Sequence, residues 1–165
     1  MNKRSFLKSL SILAAGASLT STPLMAAQNS STQTLIKPKI LAKGGTIGVC
    51  SPSAATAQQA DIVLAKGVIE ALGYKAKLAP NILARRGHLA GTDAMRAGDL
   101  NSLFSDKEVD AILCLRGGSG AARILPLLDY AMIRNNPKPL MGYSDITALH
   151  NALLSQAGLI SFHDP

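Results

Sequence analysis

The stretch Pro139-Leu140-Met141-Gly142-Tyr143-Ser144-Asp145-Ile146-Thr147 decides how the rest of the chain is read. Its first four residues form a short apolar strand bounded by Pro139 and Gly142. From Asp145 to Ala157 the apolar residues Ile146, Leu149, Leu153 and Leu154 recur at helical spacing, and Gly158 stops the run. A strand that turns into a helix through a serine admits two readings. A serine hydroxyl at a helix start is a favourable N-cap, worth about 1 kcal/mol. In an α/β fold the same turn exposes a nucleophile. Asp145 suits either reading as a first-turn acid favoured by the helix dipole. The motif departs from the G-x-S-x-G elbow, because Ile146 stands where a glycine is expected.

Working outward, strand and helix alternate about five times with short connections. Thr46 to Cys50 is a strand candidate ended by Ser51-Pro52-Ser53, and Ala57 to Leu72 carries Ile62, Ala65, Ile69 and Leu72 at helical spacing before Gly73. Tyr74 to Ala79 reads as a second strand, closed by Pro80, and Ile82 to Gly91 as a loop with Arg85, Arg86 and His88. Thr92 caps a helix through Phe104, with Ala97, Leu100, Leu103 and Phe104 on one face. Val109 to Leu115 is continuously apolar, as in a parallel strand buried on both faces, and Arg116-Gly117-Gly118-Ser119-Gly120 ends it. Ala121 to Leu128 returns to helical spacing, and Leu159 to Phe162 starts a last strand. This is the pattern of a doubly wound, mainly parallel α/β sheet of flavodoxin- or Rossmann-like layout. Such sheets bind ligands at the carboxyl ends of their strands. Ser51, the turn from Arg116 to Gly120, and Ser144 all fall at that edge.

Residues 1–27 are set aside as a signal peptide. Lys3, Arg4 and Lys8 precede an apolar run from Leu10 to Leu19, too short to span a bilayer, and small residues at 23–27 mark a cut. Lys3-Arg4-Ser5-Phe6-Leu7-Lys8 resembles a twin-arginine signal with Lys for the first Arg, and a Sec signal fits as well. The expected location is therefore periplasmic, without stable membrane insertion after cleavage, and cytoplasmic if the signal is not used. Residues 28–43 read as a linker and 44–165 as the domain. Three of the 17 basic residues fall in the signal, which leaves 14 against 10 acidic residues, or +4. That charge is unclustered and gives no footprint for nucleic acid. No metal or cofactor is expected: there is no C-x-x-C, and the three histidines stand apart. Cys50 and Cys114, each in a strand-like run, are expected as buried free thiols on neighbouring strands.

Serine is a weak nucleophile without a base, an orienting group and donors for the oxyanion. The N–H of Asp145 points over Ser144, and glycine at 118 lets a second N–H approach a ligand. Arg116 suits either a substrate carboxylate or a structural partner such as an Asp. A phosphate-loop reading of Gly117 to Gly120 fails the dinucleotide spacing, since position 123 is Arg. His150, six residues after Ser144, points away from it, and neither His88 in its loop nor His163 after the last strand is placed as a base.

Several motifs together resemble one family. Leu89-Ala90-Gly91-Thr92-Asp93 with Arg96 and Leu100-Asn101, Val109-Asp110-Ala111-Ile112 followed by Arg116-Gly117-Gly118, Asp129-Tyr130, Asn136-Pro137-Lys138-Pro139 and Gly142-Tyr143-Ser144-Asp145-Ile146-Thr147-Ala148-Leu149 are similar, in order and spacing, to the LD-carboxypeptidases (muramoyltetrapeptide carboxypeptidases). The resemblance implies a metal-free serine peptidase that releases the terminal D-alanine of a murein tetrapeptide. It implies Ser144 as nucleophile and the N–H groups of Asp145 and Gly118 as the oxyanion hole; Arg116, Gly117 and Ser119 of the adjoining turn are expected at the substrate from their place at this edge. Ser119 replaces the family's usual Tyr, and His163-Asp164-Pro165 replaces its H-G-P. The family's catalytic Glu and His belong to a C-terminal domain, expected to be absent from these 165 residues, so the polypeptide by itself is expected to be inactive. A microcin-immunity-type peptidase and a non-catalytic murein-peptide-binding domain are the alternatives; a homodimer is compatible with either.

Overall fold

The computed structural model describes residues 34–164. The segment read as a signal peptide, residues 1–27, therefore lies outside the described residues. The element order is β1 (Thr46–Cys50), α1 (Gln59–Ala71), β2 (Lys75–Leu78), α2 (Asp93–Ser105), β3 (Ala111–Cys114), a 3-10 segment (Ala121–Leu127), α3 (Tyr130–Asn135), β4 (Leu140–Gly142), a 3-10 turn (Ser144–Ile146), α4 (Thr147–Ala152), a π turn (Leu153–Ala157) and β5 (Phe162–His163). The five strands form one sheet in the order β2-β1-β3-β4-β5, and every pair is parallel. That order belongs to flavodoxin-like doubly wound sheets, whose connections reverse direction between β1 and β3.

Both faces of the sheet are apolar, which is why the strands read as continuous hydrophobic runs. On one face, Ile62 and Ile69 of α1 pack with Ile47, Val49 and Ile82. On the other, Leu100, Leu103 and Phe104 of α2 join Ile112, Ile124, Ile133, Leu140, Leu149 and Leu153. Each fully buried aliphatic side chain of this kind contributes about 1.5–3 kcal/mol. Local signals set the helix starts. The Thr92 hydroxyl accepts the Met95 N–H at 3.2 Å, and Asp129 does the same for Met132 at 2.9 Å at the start of α3.

Four differences from the sequence reading have physical causes. Helix α3 was not anticipated, because six residues are too few to display a period. Residues 121–127 wind as a 3-10 segment rather than an α-helix, with Pro126 inside it; proline removes a helical donor. The helix after Ser144 is three pieces (3-10, α and π) and ends at Gly158, whose φ is 69°. The last strand shifts to Phe162–His163, while Leu159 pairs with Ile36 through bonds of 2.8 Å to Gly158 O and 3.0 Å from Ile160 N. The segment read as a linker is thus tied to the domain at Ile36.

Cys50 and Cys114 are partners in the β1–β3 register, and both are free and buried. The hydrogen bond with Cys114 and burial push the Cys50 thiol well above its ordinary value. The thiol form is unreactive. Ellman's reagent is expected to find no reactive cysteine in the native protein and two after unfolding; one rapidly reacting native thiol would contradict this packing.

Candidate active site

The site is built where three strand ends meet. The loop after β1 (51–58) and the loop after β3 (116–120) flank the point where the sheet's connections reverse, and the Ala54 N–H reaches Gly117 O at 3.3 Å. The turn after β4 brings Ser144 beside them. A Cβ on Gly117 would lie 2.8 Å from Ser144 Cβ and 3.2 Å from its Oγ. Glycine at 117 is therefore required for the serine to sit against this loop.

Ser144 is exposed and has φ 59°, the one non-glycine residue with positive φ among the described residues. Such a conformation costs about 1–3 kcal/mol and persists only where the surroundings enforce it. Enforcement comes from both sides. Gly142, two residues earlier, has no room for a Cβ, which would meet Cys114 Cβ and Ile146 Cγ2 at 2.9 Å. Ile146 is fully buried and fills that space. The departure from G-x-S-x-G is thus accommodated: the earlier glycine suffices because isoleucine packs over it. The capping reading of Ser144 does not hold. Tyr143 is the residue before the 3-10 turn, no side chain caps it, and the Ser144 hydroxyl has no hydrogen-bond partner among the described residues.

The Asp145 carboxylate turns away from solvent and ties the loops together. It accepts the Ser53 hydroxyl and, at 2.8 Å, the Ala121 N–H. The N–H groups of Asp145 and Gly118 meet no acceptor among the described residues. Gly118 holds φ 121°, and a Cβ there would collide with Ala54 Cβ at 2.5 Å. Two free donors and one free hydroxyl therefore share this edge, the composition an oxyanion site needs.

Sequence reasoning missed the side chain that secures the edge from below. Arg96 on α2 is 1% exposed. Its Nη1 donates to Pro52 O at 2.7 Å and Gly120 O at 2.9 Å, and its Nη2 pairs with Asp93. One guanidinium thus fastens the loops after β1 and β3. The signal was present: Arg96 falls in the apolar stripe of Ala97, Leu100, Leu103 and Phe104, where a charge needs a buried purpose. Ser53 was likewise read only as part of a strand ending.

Arg116 is exposed, takes part in no ion pair among the described residues, and reaches only Ala55 O, at 3.5 Å. The structural-partner alternative is not realised, and the guanidinium is available. Ser119 is exposed and its hydroxyl lies 3.1 Å from His88 Nε2. His150 reaches back to the elbow strand, with Nε2 2.9 Å from Gly142 O and Nδ1 2.7 Å from Ser161 Oγ. The carbonyl makes Nε2 the protonated nitrogen and leaves Nδ1 to accept from Ser161. His163 lies 5.8 Å from it, ring to ring. No described histidine or carboxylate bonds to Ser144. Ser51 is buried with its hydroxyl unpartnered, and no cluster of three metal-ligating side chains occurs among the described residues.

Asp93 completes the Arg96 anchorage. The Arg123 guanidinium beside it, and then Arg96, hold its carboxyl below the usual aspartate value. A lowered folded-state value means the stabilisation is fully present above the ordinary value of about 4 and is lost as the pH falls through the lowered one. The stability difference between the parent chain and Asp93→Asn is therefore expected to be constant near neutrality and to shrink in acid. Urea unfolding at a series of pH values measures it; a gap that persists at the acid end would mean the carboxylate charge is not what is held.

Comparison with known proteins follows from this geometry. The family model described as LD-carboxypeptidase N-terminal domain matches residues 47–164. A probable murein peptide carboxypeptidase of Bacillus subtilis (strain 168) is 44% identical over 130 residues, covering 78% of this chain and 40% of the relative. The murein tetrapeptide carboxypeptidase of Pseudomonas aeruginosa is 35% identical over 123 residues, covering 73% and 39%. The crystal structure of an MccF-like protein from Bacillus anthracis str. Ames superposes with a TM-score of 0.75 at 35% identity, covering 79% of this chain and 40% of that one. The chain thus spans about two fifths of the length of these relatives. It belongs to the LD-carboxypeptidase family, a family of peptidases, and carries that family's N-terminal domain.

Proposed function

We propose that this domain supplies the nucleophile and oxyanion half of a serine-type LD-carboxypeptidase acting on murein peptides. The observation that carries the reading is Ser144: an exposed, unpartnered hydroxyl on a strained strand-to-helix turn, facing a glycine loop with free N–H donors. Ser144 Oγ attacks the carbonyl carbon of the penultimate residue. The N–H groups of Asp145 and Gly118 take the developing oxyanion. The amide C–N bond breaks, D-alanine leaves with the proton that Ser144 gave up, and water then hydrolyses the ester. Arg116, at the mouth of the same loop, is suited to the terminal carboxylate as a bidentate donor, with Gly117 and Ser119 lining the contact. The base that relays the proton comes from outside the described residues. Residues 1–27 would direct export to the periplasm, where murein is met.

A second reading keeps the chemistry and changes the substrate. The likeness to the MccF-like structure of Bacillus anthracis favours a microcin-immunity-type peptidase, since one elbow and oxyanion loop serve either acyl group.

Calorimetry and D-alanine release together test the proposal. The purified 165-residue polypeptide is expected to bind murein tetrapeptide, to keep that binding in Ser144→Ala, and to release no D-alanine. Ser144-dependent release by this polypeptide would overturn the division of labour, and absence of binding would overturn the substrate. Export is read from the amino terminus of the purified periplasmic protein, which is expected near residue 28; an intact Met1 on the functional protein would sink it.

A further inference from the structure

The segment Arg85-Arg86-Gly87-His88, between β2 and α2, has no part in the chemistry proposed so far. It folds as a tight hairpin. The N–H of Arg86 donates to Leu89 O at 2.9 Å and the N–H of Leu89 to Arg86 O at 3.1 Å, with Gly87 at φ 62° in the turn. The hairpin is fastened to the loop after β1: the Ala55 N–H donates to His88 O at 2.9 Å and the Ala90 N–H to Ser53 O at 3.1 Å. It is fastened to the glycine loop as well. Gly120 has no room for a Cβ against Leu89 Cδ2, and Ser119 Oγ lies 3.1 Å from His88 Nε2. The hairpin is thus held beside the edge that carries Gly118 and Ser144.

The loops brought together here, 51–58, 82–91 and 116–120, contain three arginines and no acidic residue. Arg85 is occupied, its Nη2 donating to Thr56 O and Ala57 O. Arg86 is exposed, and its guanidinium has no hydrogen bond or ion pair among the described residues. The acids of the adjoining elements are committed elsewhere: Asp145 to the Ser53 hydroxyl and the Ala121 N–H, Asp93 to Arg96 and Arg123. An uncompensated guanidinium on a hairpin anchored to the loop of Arg116 suits a ligand with two anionic groups. We propose that Arg86 recognises a second carboxylate of the peptide, while Arg116 takes the terminal one. A murein tetrapeptide carries internal carboxylates besides that of its D-alanine. The domain therefore selects peptides in which these are free over peptides in which they are amidated, because a neutral amide offers one acceptor oxygen in place of a charged pair. The inference rests on the proposed function and adds a substrate preference to it.

Titration calorimetry of the full chain with two ligands tests it: murein tetrapeptide with its internal carboxylates free, and the same peptide with them amidated, the D-alanine carboxylate being free in both. The parent chain is expected to bind the first about fivefold more tightly, the upper range of an exposed ion pair, and the preference to narrow as salt is raised. Arg86→Gln is expected to bring the ratio close to one with an unchanged circular dichroism spectrum, since the guanidinium bonds to nothing among the described residues. Arg116→Gln is expected to weaken the binding of both peptides and to retain the preference. Equal binding of the two peptides by the parent chain overturns the inference and leaves the proposed function standing. A preference that survives Arg86→Gln, or one lost only in Arg116→Gln, overturns it as well. Binding of neither peptide overturns the proposed substrate and this inference together.

Discussion

The buried guanidinium of Arg96 is the constraint on which the candidate site depends. Burying a charge is costly unless it is paired and fully hydrogen-bonded. Here Nη1 and Nη2 are compensated by Asp93 and by the carbonyls of Pro52 and Gly120, while the buried Nε has no partner among the described residues. Those carbonyls belong to loops far apart in sequence, one after β1 and one after β3. Their separation across the sheet crevice is thereby set by a rigid planar group growing from α2. Without it, Pro52 O would lose its donor among the described residues and Gly120 O would keep only the Arg123 N–H, at the point where the sheet opens. Asp145 repeats the device from the other side, joining Ser53 and Ala121. The three turns that carry Ser53, Gly118 and Ser144 are in this way one polar unit resting on an aliphatic core.

That unit explains how a serine persists at φ 59°. The strain is local, but the forces that hold it are not. Cys114 and Ile146 close on Gly142 from beneath, and Gly117 leaves room for the Ser144 side chain beside the loop. A hydroxyl held this way points outward, free of the capping bond that a serine at an ordinary helix start would make. The proposed role as nucleophile follows from that freedom together with the unpaired N–H groups nearby. The same economy appears at Arg116, which is bonded to almost nothing within the domain and so remains available to a ligand.

Much of the fold was legible from residue order. The β1, β2, β3 and β4 runs, the helices at 59–71 and 93–105, and the carboxyl-edge clustering of Ser51, the Arg116 loop and Ser144 all follow from periodicity and turn residues. Signals failed where a short element had no room for a period, as in α3, or where proline converted an apparent α-helix into a 3-10 segment. They failed again at Arg96, because hydrophobic patterning marks a charged residue on an apolar face as an exception without saying which carbonyls it serves. For the site itself, the motif around Ser144 was visible as residues, but two readings of the serine, cap and nucleophile, were equally compatible with its spacing.

The sequence by itself determined the alternation of strands and helices, the apolar strand interiors and the glycines that must close the strand ends, because these depend on neighbours within a few residues. Only the tertiary structure removed the capping reading of Ser144. The sign of its φ, the fit of Gly117 against its side chain, and the convergence of Ser53, Arg96 and Asp145 depend on contacts across 24 to 92 positions of chain. Periodicity carries no information about distances of that kind; packing of the parallel sheet supplies it.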